Sequence, residues 1–354
     1  MMSTLASHFD QRLGLHGDRT PWIAFSIMPR TAFITGATGF VGTNVVNCLL
    51  RDGWEITALV RANSKTEALN QRGVKCVEGV LWDAKSVANA MPHNVDCVFH
   101  IAATVAAWKP REAEQWQTNV DGTQAVIDAA LQCKAKRFVH CSSGGVYGET
   151  QSVIEDTTPR DGDKSAVHYF RSKHAAEERV RDAIAKRNLP AVIIQPSAII
   201  GPHDTTGFAR VIMMVNQGKL QGIPPGAAAF CYGPSVAEAI VAAADKGRIG
   251  EHYILPGENS TFHNLVLRVS KLLGKTETRG PMPLWLLKMI GRVSDFVSWF
   301  THKEPEMSYE VVLMVSYQSS VKSTKAAKEL GYQALTLDEL LPPTLDWLRQ
   351  EHYI

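Results

Sequence analysis

Tyr169-Phe170-Arg171-Ser172-Lys173 places a phenol and an ammonium four residues apart. On a helix that spacing puts both groups on one face. A free phenol loses its proton only near pH ~10, and a neighbouring ammonium favours the phenolate and brings that value down. The pair is therefore expected to trade a proton with a substrate oxygen near neutral pH. Upstream, the apolar run Arg137 to Cys141 ends in Ser142-Ser143-Gly144-Gly145-Val146-Tyr147-Gly148. A hydroxyl at the carboxyl end of a strand sits where open α/β sheets bind ligands. Ser143 is the expected partner that holds a carbonyl beside the phenol, with Ser142 as second choice.

Such chemistry needs a redox partner, and Thr35-Gly36-Ala37-Thr38-Gly39-Phe40-Val41-Gly42 supplies a place for one. Gly36 would allow the turn out of a strand, Gly39 would admit a pyrophosphate to the backbone, and Gly42 would let the next helix pack close. Thr38, Phe40 and Val41 belong to the same loop and helix start. The helix N-terminus offers free N–H groups and partial positive charge to phosphates. The next strand ends in Leu59-Val60-Arg61 with no carboxylate, which a ribose-binding NAD site would carry. Arg61 can fork onto a 2′-phosphate, with Ser64 and Lys65 as further donors, so NADP(H) is expected over NAD(H).

The elements that must position these residues read as alternating strands and helices. Strand candidates are Thr31 to Thr35, Glu55 to Val60, Val74 to Val77, Val95 to Ile101, Arg137 to Cys141 and Ala191 to Gln195. Helical patterns such as Thr43 to Arg51, Thr118 to Lys134 and His168 to Ala185 separate them. The expected fold is α/β, a Rossmann-type doubly wound parallel sheet, with a smaller C-terminal substrate-binding region. Residues 28–203 form the expected dinucleotide domain and residues 204–354 the substrate region, with a strand near 252–255 returning to the main sheet. Later helices are expected over Gly207 to Gln217, Pro234 to Ala244, Phe262 to Leu273 and Leu337 to Gln350. Residues 1–27 lack a basic start followed by a long apolar run and are expected to be poorly ordered, with Met28 an alternative start.

Composition narrows the class. The 354 residues are 45% hydrophobic and 20% charged, with a formal net charge of +2, which is ordinary for a globular enzyme and leaves no nucleic-acid footprint. Cys48, Cys76, Cys97, Cys133, Cys141 and Cys231 form no CxxC pair and no zinc-ligand spacing. They read as small buried hydrophobes of a reduced cytoplasm, and no metal is expected. Pro281 to Phe300 is the most apolar late stretch, but Lys288, Arg292 and Asp295 interrupt it. It reads as a helix covering the substrate pocket, with contact to a lipid surface as the alternative.

Together the motifs from Thr31 to Leu348 resemble the extended short-chain dehydrogenase/reductases, the NAD-dependent epimerase/dehydratase family. Thr35–Gly42 resembles the family's TGxxGxxG loop. His100-Ile101-Ala102-Ala103 resembles its cofactor-lining segment, so Ala102 and Ala103 are cofactor contacts by resemblance, as is Leu81. Asn119-Val120-Asp121-Gly122-Thr123 resembles its NVxGT helix, which makes Asn119 a support for a water path or for helix geometry. Ser143, Tyr169 and Lys173 resemble its catalytic triad, with Lys173 also a ribose anchor. Pro196 and Ser197 open a loop that resembles the one beside the nicotinamide.

Three departures shape the expectation. Val80 stands where the family usually has an adenine-binding aspartate. Gly144-Gly145 replace the Asp-Glu pair of sugar-nucleotide dehydratases. Gln195 replaces a common arginine. Val60-Arg61 and the closing Lys325–Tyr332 segment resemble dihydroflavonol-reductase-like and 3β-hydroxysteroid-dehydrogenase-like members. The resemblance implies hydride transfer between NADP(H) and a ketone or secondary alcohol of a fairly apolar small molecule. A sugar-nucleotide epimerase with tightly held NAD, or a non-catalytic NADP-sensing protein, are the alternatives. A homodimer through the Thr118–Lys134 and His168–Ala185 helices is the expected assembly.

Overall fold

Seven short apolar strands line up in parallel in the computed structural model, which describes residues 29–149 and 152–354. The expectation about residues 1–27 lies outside the described residues. In chain order the strands are β1 (Thr31–Thr35), β2 (Glu55–Val60), β3 (Lys75–Glu78), β4 (Cys97–His100), β5 (Phe138–Cys141) and the two-residue β6 (Val153–Ile154). There follow β7 (Ala191–Pro196), β8 (Ala198–Ile200), β9 (Ala227–Tyr232), β10 (His252–Leu255), β11 (Glu258–Thr261) and β12 (Ser320–Val321). The main sheet has the order β10-β7-β5-β4-β1-β2-β3. Its order reverses between β1 and β4, where open sheets leave a crevice above their carboxyl ends.

The helices are α1 (Phe40–Arg51), α2 (Glu67–Gln71), α3 (Ala84–Ala90), α4 (Glu112–Trp116), α5 (Gly122–Gln132), α6 (His168–Arg187) and α7 (Phe208–Gln217). The remainder are α8 (Gly233–Lys246), α9 (Phe262–Leu272), α10 (Leu284–Thr301), α11 (Tyr309–Ser316), α12 (Lys325–Leu330) and α13 (Leu337–Gln350). Alternation of side chains along each strand feeds two cores. Ile34, Phe99, Val139 and Ile194 meet Val45 and Leu49 of α1, Ile240 of α8 and Leu330 of α12 on one face. Phe33, Val98, Phe138 and Ile193 meet Val87 of α3, Val126 of α5 and Val180 of α6 on the other. The sheet is thus doubly wound.

The chain beyond residue 203 does two things. α8, β10 and α12 return to the main sheet, β10 pairing in parallel with β7. α7, α9 and α13 build a further core on β8 and β9 around Phe230, Phe262, Leu265 and Leu341. β9 begins Ala-Ala-Ala, a weak strand signal, and becomes a strand because β8 and β11 flank it. The expected Thr118–Lys134 helix is shorter, because a π turn over Gln117–Asp121 precedes α5. α11, absent from the sequence reading, packs against α10. All six cysteines are free, and five are buried. Among the described residues no helix is long and apolar enough to cross a membrane, and no three metal-ligating side chains gather.

Candidate active site

The crevice begins at the end of β1. Gly36 has φ +78°, and a Cβ there would lie 2.7 Å from the Ala102 backbone nitrogen, so only glycine lets the β1 and β4 ends approach. A Cβ on Gly42 would run into the Gly36 carbonyl oxygen, so α1 can pack this close only without one. Gly39 differs: a Cβ would meet only the Gly36 carbonyl oxygen, at 3.4 Å, so packing does not demand its bareness. Thr38 and Gly39 are exposed, and no side chain caps α1, which leaves its first-turn N–H groups available to an anion. These features fit a dinucleotide pyrophosphate. Phe40 packs on Gly233 at the start of α8, Val41 joins the core, and Asn44 Nδ2 donates to the Pro202 carbonyl at 3.0 Å.

Around the rest of the crevice the expected contacts fall at neighbouring strand ends. Arg61 is exposed at the tip of β2, where its N–H donates to Ser64 Oγ (3.1 Å) and Ser64 N–H donates back to its carbonyl (2.9 Å). Lys65 is exposed beside them. Leu81 is half-buried and packs over Gly122, while Val80 is exposed. Ala102 N–H donates to Thr35 Oγ1 at 3.3 Å, and Ala103 is exposed. Pro196 is buried, its carbonyl close to Gly144, and both the N–H and the hydroxyl of Ser197 donate to the Leu255 carbonyl, at 3.2 and 3.0 Å. Arg61, Ser64 and Lys65 sit on the β2 side of β1, and the hydroxyl pair sits on the β5 side of β4. A groove of about 500 Å³ lined by Glu155, Asp156, Pro256, Lys322 and Ser323 holds none of these residues.

At the centre, the Ser143 hydroxyl lies beside the Tyr169 phenol and favours its ionised form. Both are half-buried, and Ser143 Oγ also accepts from Gly145 N–H at 3.1 Å. Ser142 is spoken for: its hydroxyl donates to Glu177 Oε2 at 2.6 Å. That selects Ser143 as the serine beside the phenol. Glu177 is fully buried one turn beyond Lys173 on α6, and it also accepts from Gln195, Arg160 and Arg181. These partners hold its carboxyl below the usual range despite burial. Tyr147 in turn donates to Gln195 Oε1 at 2.8 Å, so one carboxylate ties α6 to β5 and β7. Sequence reading missed Glu177; its partners, up to 35 positions away, carry no local signature.

Lys173, 3% exposed, donates from Nζ to the Cys141 carbonyl at 2.8 Å. Burial pushes Tyr169 up to about 12, opposed by the neighbouring Ser143 hydroxyl. The reason is physical. A buried ammonium takes the nearest strong acceptor, and the same dry surroundings disfavour the phenolate. Burial likewise lowers Lys173.

Two further contacts position the catalytic helix. Asn119 Nδ2 donates to Ser172 Oγ (2.9 Å) and to the Thr104 carbonyl (3.0 Å), and Oδ1 accepts from Thr104 N–H (2.8 Å). Its amide is engaged on both sides, so it acts as a positioning residue that links the loop after β4 to α6. Glu310 of α11 accepts from Tyr169 N–H at 3.1 Å, capping a helix whose preceding residue, Val167, offers no side-chain cap.

Beneath the crevice lie two neutral imidazoles. His100 bridges Thr35 Oγ1 (2.8 Å) and Thr123 Oγ1 (2.9 Å), and burial brings it down to about 3. His140 stacks on it, centroids 5.4 Å apart, and its ring nitrogens have no hydrogen-bond partner among the described residues.

A parallel doubly wound sheet, a glycine loop at its switch point and a Ser/Tyr/Lys cluster define a nicotinamide-dinucleotide oxidoreductase of the extended short-chain type. The chain belongs to the NAD dependent epimerase/dehydratase family, whose model matches residues 32–255. It is 28% identical over 331 residues to sterol demethylase protein B of Methylococcus capsulatus, covering 92% of this chain and 100% of the relative. It is 26% identical to the 4-hydroxy-2-methyl-3-oxo-4-farnesyl-3,4-dihydroquinoline-1-oxide ketoreductase of Stigmatella aurantiaca, covering 90% and 95%. The solved structure of gox2253 superposes with a TM-score of 0.79 at 30% identity, covering 92% of this chain and 99% of that one.

Proposed function

We propose that the chain is an NADP(H)-dependent ketoreductase or secondary-alcohol dehydrogenase acting on a fairly apolar small molecule. The single observation that carries this reading is the Ser143–Tyr169 hydroxyl pair at the carboxyl end of β5, across the crevice mouth from the glycine loop. The dinucleotide, when bound, supplies or accepts the hydride at its nicotinamide. Gly36, Gly39 and the α1 N-terminus would hold its pyrophosphate, Ala102 and Ala103 its middle, Pro196 and Ser197 the nicotinamide side, and Lys173 its ribose.

The protein's part is proton transfer and alignment. Ser143 donates a hydrogen bond to the substrate oxygen and fixes it beside the phenol. Tyr169 gives its proton to that oxygen in the reducing direction and takes it back in the other. Arg61, with no carboxylate at the β2 tip, favours a 2′-phosphate. The names of the sterol demethylase and farnesyl-quinoline ketoreductase relatives support an apolar substrate.

The test is NADPH oxidation against a panel of hydrophobic ketones, with Tyr169→Phe and Ser143→Ala alongside. Tyr169→Phe is expected to lose on the order of 10²–10⁴-fold in kcat with NADPH affinity retained. Unchanged turnover in Tyr169→Phe would remove the phenol from the mechanism. Purified protein carrying NAD, with no net cofactor turnover on any ketone, would point to an epimerase instead.

A further inference from the structure

We infer that the outer face of α10 rests on the surface of a lipid bilayer that carries anionic headgroups. Leu287, Gly291 and Ser298 face inward and are buried. Ser298 Oγ accepts from Trp108 Nε1 at 2.8 Å, and Asp295 accepts from Tyr309 N–H at 3.1 Å, so the inner side is committed to the protein. The opposite side is not. Trp285 (68% exposed), Met289, Val293, Phe296 (62%) and Phe300 recur at helical spacing along one stripe, with Val297 and Trp299 (67%) at its edges. Aromatic rings cluster at its C-terminal end, the Phe296–Phe300 centroids 5.0 Å apart and the Trp299–Phe300 centroids 4.6 Å apart.

An exposed apolar stripe of this size on a globular protein marks a contact surface. The charges around it indicate the partner. Lys288 and Arg292 line one edge of the stripe, the Arg292 guanidinium also resting over the Tyr309 ring at 5.1 Å, and His302 and Lys303 follow the helix end. The acids nearby are engaged: Asp295 with Tyr309, and Glu304 with Arg111. Large aromatics near both ends with cations alongside are what an in-plane interfacial helix uses, rings at headgroup depth and basic groups toward anionic lipid. A second copy fits less well. Across a two-fold axis at the middle of the helix, Arg292 would meet its own counterpart with no free carboxylate between them.

Membrane binding is read without turnover, so it stands or falls apart from the proposed reaction. The full chain is floated with vesicles of phosphatidylcholine containing about a third phosphatidylglycerol, and with phosphatidylcholine alone. Binding to the anionic vesicles is expected, weakened by salt, and reduced at least tenfold in Phe296→Glu/Trp299→Glu. Lys288→Glu/Arg292→Glu is expected to lose the preference for anionic lipid. All four positions are solvent-facing or half-buried, and circular dichroism with a thermal melt establishes that the variants are folded. No flotation of the wild type, or equal flotation of a folded Phe296→Glu/Trp299→Glu variant, overturns the proposal. So does a wild-type dimer that this variant splits while neither protein floats.

Discussion

Glu310 Oε1 accepts a hydrogen bond from the backbone N–H of Tyr169, a residue 141 positions earlier in the chain. The start of the catalytic helix is thus held by α11. Burial raises the Glu310 carboxyl above its ordinary range, so carrying the charge costs stability at neutral pH. For a group raised in the folded state, the contribution is present below the unfolded value and is lost as pH rises through the folded one.

Two substitutions separate the cap from the charge. Glu310→Gln keeps an acceptor without the charge and is expected to be at least as stable as wild type at pH 7. Glu310→Ala is expected to lose about 1 kcal/mol, the usual cost of a helix cap, and to lower kcat by loosening Tyr169. Thermal melts paired with kcat measurements check this; equal melts for Ala and wild type would show that the cap contributes nothing.

Glu177 is expected to be the least replaceable acid in the protein. Glu177→Ala leaves the buried Ser142 and Gln195 and the half-buried Arg181 without their acceptor, and leaves Arg160 with Glu178 alone. Removing one partner of a buried ionic cluster typically costs about 3–5 kcal/mol. Urea unfolding measures it, and a loss under ~1 kcal/mol would mean that the cluster is solvated in solution.

Arg61→Ala is expected to lower kcat/KM for NADPH about tenfold or more, with NADH little changed, because one charge-assisted fork onto a phosphate is lost. Steady-state rates with both cofactors decide. An equal fall with NADH would instead make Arg61 an adenine-stacking residue.

The buried imidazoles set an acid limit. His100 is brought down to about 3 and His140 also falls, so both stay neutral in the folded chain while the unfolded chain binds their protons below about 6.5. Stability is therefore expected to fall as pH drops below that value, by up to about 1.4 kcal/mol per pH unit for each histidine. His140→Leu removes one such proton, together with two ring nitrogens that have no partner among the described residues. It is expected to raise stability at pH 7 and to flatten the acid slope by about one proton. Urea titrations from pH 7 to 5 measure both, and an unchanged slope would assign the acid loss to other groups.

What was legible in the residues was whatever lies close along the chain. The glycine loop, the Tyr169–Lys173 spacing and the serine after β5 are each a few positions long, and alternating apolar runs were enough to read a parallel doubly wound sheet. What was not legible depends on distant partners. Glu177 and Glu310 look like ordinary surface acids until β5, β7 and α11 close around them. The alanines of β9 form a strand only because β8 and β11 are beside them. The direction of Lys173 Nζ is a competition between the Cys141 carbonyl and Tyr169 that spacing cannot decide.

The glycine pair after Ser143 carries a last consequence. A Cβ at Gly145 would strike the ring of Phe170, the neighbour of Tyr169 on α6. A side chain at that position would have to displace the Phe170 ring. Introducing a carboxylic acid there is therefore expected to go together with a smaller side chain in place of Phe170, a paired change rather than a single one.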